Sequence, residues 1–195
     1  GAGWCQREFE AFGYPFDHRV GRFAEAVDIT TNLLRQGRYT YDGTYYQVQD
    51  CELRPRGPRP EGPPILIGSS SKGERMMRLV ARYADVWNRD FDATNPDEVP
   101  YSREDLLRSQ AKIDAACAEV GRDPSTLQRT CGVWVDLPSG PDRGWNAVTG
   151  TPEEMASGLR KYAETGYSGV QIWLNQNDTA GVEAFAPVLE ILDQD

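Results

Sequence analysis

Residues 63–88 read PPILIGSSSKGERMMRLVARYADVWN, and the fold turns on how this stretch divides. Ile65–Gly68 is a short apolar run and Gly68–Ser71 is a turn. Gly73–Tyr83 places Met76, Leu79, Val80 and Tyr83 at helical spacing. Asp85–Asn88 is a second short run. The stretch therefore reads as strand, turn, helix, strand. Two strands joined through a helix pair in parallel with a right-handed crossover.

The same alternation continues downstream. Ser102 with Asp105 resembles a capping box and opens a helix carrying Leu106, Ile113, Cys117 and Val120, which Gly121 closes. Thr130–Leu137 is a strand and 138–150 a loop. Thr151, Pro152 and Glu154 are a helix start, with Met155, Leu159 and Tyr162 turned inward and Gly166 at the end. Glu153 and Glu154 are capping residues here, not a catalytic carboxylate pair. Gly169–Leu174 is a strand. Val182, Phe185, Ala186, Leu189 and Leu192 mark a final helix, with a kink expected at Pro187.

Upstream, Arg19–Gln36 follows the helical period and stops at Gly37. Asp42-Gly43 between Tyr- and Thr-rich flanks signals a hairpin. The Pro- and Gly-rich 54–64 reads as an extended loop within one domain. A (β/α) barrel and a doubly wound sheet both fit this order. A complete eightfold barrel takes about 250 residues. The chain has 195 and shows four strand–helix units behind a helix with no strand before it. The expectation is the second half of an α/β barrel.

Composition removes several function classes. Lys and Arg total 21 against 30 Asp and Glu, so the formal charge is −9. No nucleic-acid or membrane partner is expected of such an acidic chain. No apolar run approaches the roughly 20 residues of a membrane helix. His18 is the only histidine, which excludes a His-rich metal site, and it reads as a surface or capping residue. Cys5, Cys51, Cys117 and Cys131 lack Cys-x-x-Cys spacing and read as reduced, mostly buried thiols of a cytosolic protein. No motif for covalent catalysis is present. The first residue is Gly rather than Met, as in a processed or truncated product.

Two readings of Gly68-Ser69-Ser70-Ser71 compete. A Gly/Ser turn between a parallel strand and a helix can offer backbone N–H groups and hydroxyls to a phosphate. It can equally be a plain turn in which one serine caps the helix. Trp87 and Asn88 end the next strand on the same face. Trp87 either walls a pocket or packs under the helices, and Asn88 can offer its amide. Trp134 and Trp173 read as core, and Asn175 and Gln176 as weaker candidates for a substrate face.

Taken in order, GAGW (1–4), RFAEAVDITTNLL (22–34), YDGTYYQV (41–48), the opening stretch, and GTPEEMASGLRKYAETGYSGVQIW (150–173) resemble the luciferase-like monooxygenase family. These are (β/α)8 TIM-barrel enzymes that use a flavin or deazaflavin. The wording of GAGW, ILIG and ARYADVWN looks most like the deazaflavin-dependent branch. The resemblance implies that residues 1–195 are one barrel domain, running from the end of strand four through strand eight, with its N-terminal part missing. It implies FMN or coenzyme F420 as cofactor, with Gly68, Ser69, Ser70 and Ser71 on its phosphate. Trp87 and Asn88 would lie beside the phosphate, and Ala2, Gly3 and Trp4 beside the ring. Many relatives have Asn where this chain has Cys5. The implied activity is hydride transfer to, or oxygen insertion into, a small organic substrate by a cytoplasmic homodimer. The competing expectations are a non-catalytic half-barrel that binds flavin or acts as a scaffold, and a phosphosugar-binding barrel enzyme.

Overall fold

A computed structural model describes residues 1–90, 102–141 and 147–194. The helices are α1 (Gln6–Phe12), α2 (Arg19–Gln36), α3 (Glu74–Tyr83), α4 (Arg103–Glu119), α5 (Pro152–Glu164) and α6 (Thr179–Leu192). The strands are β1 (Arg38–Asp42), β2 (Gln47–Glu52), β3 (Leu66–Ser69), β4 (Val86–Arg89), β5 (Gln128–Asp136), β6 (Val148–Thr149) and β7 (Gly169–Leu174). β1 and β2 form an antiparallel hairpin. β3, β4, β5 and β7 lie side by side in that order, all parallel. The expected alternation is present. Two short elements were not expected: α1, and β6, which pairs with the end of β5.

Strand alternation sorts the side chains between two faces. Ile67, Trp87, Arg89, Cys131, Val133 and Val135 are each at most 2 % exposed and lie against the helices. Leu66, Asn88, Thr130, Trp134 and Trp173 occupy the alternate positions and stand on the other face. Leu66 and Trp173 are more than half exposed there. Among the described residues, helices thus cover one face only, as around a barrel and unlike a doubly wound sheet. Trp173 is therefore not the core residue expected of it. It sits on the uncovered face with its ring centroid 4.9 Å from that of Trp134.

One helix reading needs correction. α3 buries Met77, Val80 and Ala81, a stripe rotated one position from the expected one, because Met76 and Met77 support both phases. α6 buries Gly181, Phe185 and Val188 and leaves Val182 and Leu189 exposed. Its sequence is apolar on several sides, so periodicity alone does not choose the face. α6 also continues through Pro187.

Caps and clamps set the helix positions. Thr151 and Glu154 form the expected capping box. Ser102 accepts from the Asp105 amide, but the Asp105 carboxylate does not reach back. It instead binds the Arg89 guanidinium at the end of β4, both groups being buried. Removing either partner of such a pair costs about 3–5 kcal/mol, since the other charge stays buried.

The 54–64 connector folds back on α2, where Arg56 donates to the carbonyls of Leu34, Arg35 and Gln36 at its C-terminus. Asp85 accepts from the Ile65 amide and from Arg35, both at 2.7 Å, and so joins α2 to the sheet. Asp28 accepts from the hydroxyls of Tyr39 and Tyr83, each at 2.7 Å. Burial, helped by Asp28, pushes the Tyr83 phenol up to about 12.

The hairpin tip hangs on one carboxylate. Glu25 of α2 accepts from the amides of Thr44, Tyr45 and Tyr46 at 2.8–3.0 Å. Partial desolvation pushes its carboxyl up, but the three amides outweigh that and hold it below the ordinary value of 4.5. A lowered folded-state value means the stabilisation is present above the unfolded pKa and is lost as pH falls through the folded one. Glu25→Gln is expected to lower the thermal midpoint at pH 7. The gap from the unsubstituted protein should close progressively below pH 4.5. Melting curves from pH 3 to 7 check this, and a gap independent of pH contradicts it.

Candidate functional site

The uncovered face and the carboxyl ends of β3 and β4 form the candidate site. Register places Gly68 beside Asn88 and Asn88 beside Thr130 in one row across three strands. Among the described residues, a Cβ built on Gly68 meets only the Asn88 carbonyl oxygen, at 4.0 Å, so the row is open above Gly68. The N-terminal segment approaches the same place, since a Cβ on Gly1 would lie 2.9 Å from the Gly68 carbonyl oxygen. Gly1 and Ala2 therefore adjoin the end of β3, next to Gly68.

The four residues of the turn separate into different roles. Gly68 belongs to β3 and faces the open side. Ser69 turns toward the helices, where its hydroxyl and carbonyl accept from the Trp87 indole N–H at 3.1 and 3.3 Å. Ser71 is buried, and its hydroxyl accepts from Ser109 of α4 while its carbonyl accepts from Lys112. Among the described residues, no acceptor engages the Ser70 and Ser71 amides or the Ser70 hydroxyl. α3 begins only at Glu74, after Gly73 with no side-chain cap. No serine caps it, and its first-turn amides lie beyond the turn. What the turn can offer an anion is a pair of amides and one hydroxyl.

Trp87 is fully buried among the helices, so its ring walls no open pocket. Trp4 is 70 % exposed and lies outside the cavity its neighbours line. Ala2 does line that cavity. Gly3 has φ +76°, and a Cβ there would strike the Phe9 ring at 2.6 Å, so glycine is required. The structure thus brings Gly68, Ser70, Asn88 and Ala2 to one region. It turns the rings of Trp4 and Trp87 elsewhere.

The cavity beside Ala2 holds about 210 Å³ and is lined by Phe9, Phe23, Tyr46, Arg19 and Arg22 among others. Arg22 is bound by Asp17 and stacks on Tyr45 at 4.6 Å. Arg19 stacks on Phe16 at 4.7 Å and has no carboxylate partner among the described residues. Sequence reading did not single out either arginine. Their only signal was a pair of cations in the first turn of a long helix. A larger cavity of about 1020 Å³ lies along α5 and the start of α4, where Lys161, Glu153 and Glu164 line it with Leu106 and Tyr162. It includes none of the strand-end residues above, and its mixed charges favour no single ligand.

Asn175 is a strut. Its Oδ1 accepts from the Leu137 amide and its Nδ2 donates to the carbonyls of Leu137 and Pro141, at 2.9–3.0 Å. Gly140 packs so closely that a Cβ would lie 2.5 Å from the Asn175 amide carbon. Gln176 pairs with Ser139 and Asp178. His18 is exposed and begins α2 without a side-chain cap. Cys117 and Cys131 are buried, and burial pushes the Cys131 thiol up to about 12. Cys5 and Cys51 are only partly buried. Among the described residues no metal-ligating cluster occurs, and no helix is long and apolar enough to cross a membrane.

A family model described as luciferase-like monooxygenase matches residues 1–138. The chain belongs to that family. It is 31% identical over 127 residues to pyrimidine monooxygenase RutA of Allorhizobium ampelinum, covering 62% of this chain and 32% of that protein. It is 26% identical over 131 residues to the FMNH(2)-dependent dimethylsulfone monooxygenase of Pseudomonas putida, covering 66% and 35%. The chain thus spans about a third of each of these curated relatives. Among solved structures, it is similar to an F420-dependent secondary alcohol dehydrogenase in complex with an F420–acetone adduct. The TM-score is 0.70 at 15% identity, covering 89% of this chain and 62% of that one. At that identity the likeness establishes the fold, a part of the (β/α)8 barrel.

Asn175→Ala should strand the Leu137 amide and carbonyl in a buried place. The expected loss is about 2–4 kcal/mol of unfolding free energy, read by urea denaturation. A loss below about 0.5 kcal/mol, the ordinary scale of a surface change, contradicts the strut.

Proposed function

We propose that the protein is an oxidoreductase that holds a flavin or deazaflavin against the uncovered sheet face, at the carboxyl ends of β3 and β4. The observation that carries this reading is the open notch at Gly68, flanked by the Asn88 amide and by the Gly1–Ala2 segment. A flat ring system can lie against a strand only where side chains leave room, and Gly68 leaves that room. When bound, the cofactor supplies the hydride or the oxygen-activating electrons, and the protein supplies position and electrostatics.

The residues present fit such a group. Asn88 offers a polar edge on the open face. The amides of Ser70 and Ser71 and the Ser70 hydroxyl offer hydrogen bonds to a phosphate tail. Arg19 adds a cation in the adjoining cavity that no acid among the described residues neutralises. Trp134 and Trp173, tilted against each other on the same face farther along β5 and β7, offer an apolar wall for an organic substrate. The choice between FMN and coenzyme F420 rests on the relatives, whose names carry both.

The family resemblance implies the phosphate at the Gly68 turn; the reading proposed here puts the phosphate on Ser70 and Ser71 and the ring over Gly68. A side chain at Gly68 would project where the ring lies, not where the phosphate lies. Gly68→Val should therefore weaken FMN and riboflavin alike. Arg19→Ala should weaken FMN about 10-fold or more and change riboflavin less than about 2-fold, the scale of one charge-assisted contact. Flavin fluorescence titration of the full-length protein checks both. Equal losses for FMN and riboflavin in Arg19→Ala contradict the phosphate assignment. No binding of FMN or F420 below about millimolar contradicts the cofactor reading.

A further inference from the structure

We infer that Thr130 is a positioning residue, which fixes the Asn88 amide so that its NH₂ group is presented to a hydrogen-bond acceptor on the cofactor ring. This rests on the cofactor reading proposed above. The Thr130 hydroxyl donates to Asn88 Oδ1 at 2.9 Å. With its oxygen held, the amide turns its nitrogen away from Thr130. Among the described residues no acceptor engages that nitrogen. An amide NH₂ with two protons and no acceptor, half-buried on a sheet face, is a recognition group for an acceptor of matching height.

The geometry of the row explains the direction. Asn88 is the third of four residues in β4, near the strand's carboxyl end, whereas Thr130 is the third of nine in β5. Register makes the two direct neighbours, so Thr130 grips Asn88 from the adjacent strand. Thr130 cannot easily turn. Its Cγ2 packs over Gly169, where an added Cβ would stand 3.4 Å away. Threonine is stiff at χ1. Methyl over Gly169 and hydroxyl toward Asn88 therefore describe a single rotamer. Gly68 lies on the other flank of Asn88, its missing side chain leaving the space open.

The chemical class of the acceptor follows. A flavin or deazaflavin ring carries carbonyl oxygens and a ring nitrogen on its pyrimidine edge, and that edge gains negative charge on reduction. A fixed donor there favours the reduced, anionic form, because hydrogen bonds to charged acceptors are about twice as strong as neutral ones. Thr130 then helps set which redox state the protein prefers, without touching the cofactor itself.

The test compares oxidised and reduced FMN with the full-length protein under anaerobic conditions, together with the midpoint potential of the bound cofactor. Thr130→Val keeps the shape and removes the donor, and Thr130→Ser keeps the donor. The Val variant is expected to bind reduced FMN about 5- to 10-fold more weakly, with a smaller change for oxidised FMN, and to lower the midpoint potential. The Ser variant should stay within about 2-fold. Asn88→Asp keeps an acceptor for Thr130 but has no NH₂, and should lose reduced FMN more than Val does. The inference is overturned if Val binds both redox states like the unsubstituted protein. It is overturned equally if Ser is as impaired as Val, which would mean packing alone, or if Asp binds reduced FMN unchanged. Failure of the unsubstituted protein to bind FMN in either state is a separate result, which removes the cofactor reading and this inference with it.

Discussion

The register of β5 is the constraint on which the rest depends. β5 pairs with β4 along its first residues, with β7 along its other edge, and with β6 at its end. Its alternation sends Cys131, Val133 and Val135 into the helical core and Thr130 and Trp134 to the open face. A slip of one residue would exchange the two sets and bury polar Thr130 among the helices. The same phase passes through the ladder to β4, burying Trp87 and Arg89 and leaving Asn88 on the open face. The core and the candidate site are thus two sides of one pairing.

Polar contacts complete what the ladder begins. Asp105 receives Arg89 at the back of β4, and Ser109 of the same helix holds the Ser71 hydroxyl. α4 thereby grips both the strand and the loop that carry the candidate site. Asn175 closes the ends of β5 and β7 in a similar way. Each clamp uses groups that would otherwise be buried without partners, so each is expensive to remove.

Much of this was legible in the sequence, because apolar runs of four to six residues alternating with capped amphipathic helices have few other solutions. The strand positions, the Thr151 capping box and the Asp42-Gly43 hairpin carry local signals. The rotated stripe of α3 and the inward face of α6 did not, because adjacent apolar residues support two helical phases. β6 has two residues, too few for any period. Among site residues, Gly68 and Asn88 followed from strand ends and from family likeness. Trp87 and Ser71 lie in the same motif but face the helices, and only the alternation of the folded strand separates them. Asp105 looked like a cap because its long-range partner, Arg89, is sixteen positions away. Thr130 carried no signal, since its role exists only through a neighbour brought by pairing.

The central claim is that the Gly68–Asn88 row, and not the larger cavity along α5, receives the cofactor. Hydrogen exchange on the full-length protein, with and without saturating FMN or deazaflavin coenzyme, tests it most directly. The account predicts added protection at the amides of residues 68–71 and 86–90. Protection confined to residues 148–165, with the strand ends unchanged, would contradict it.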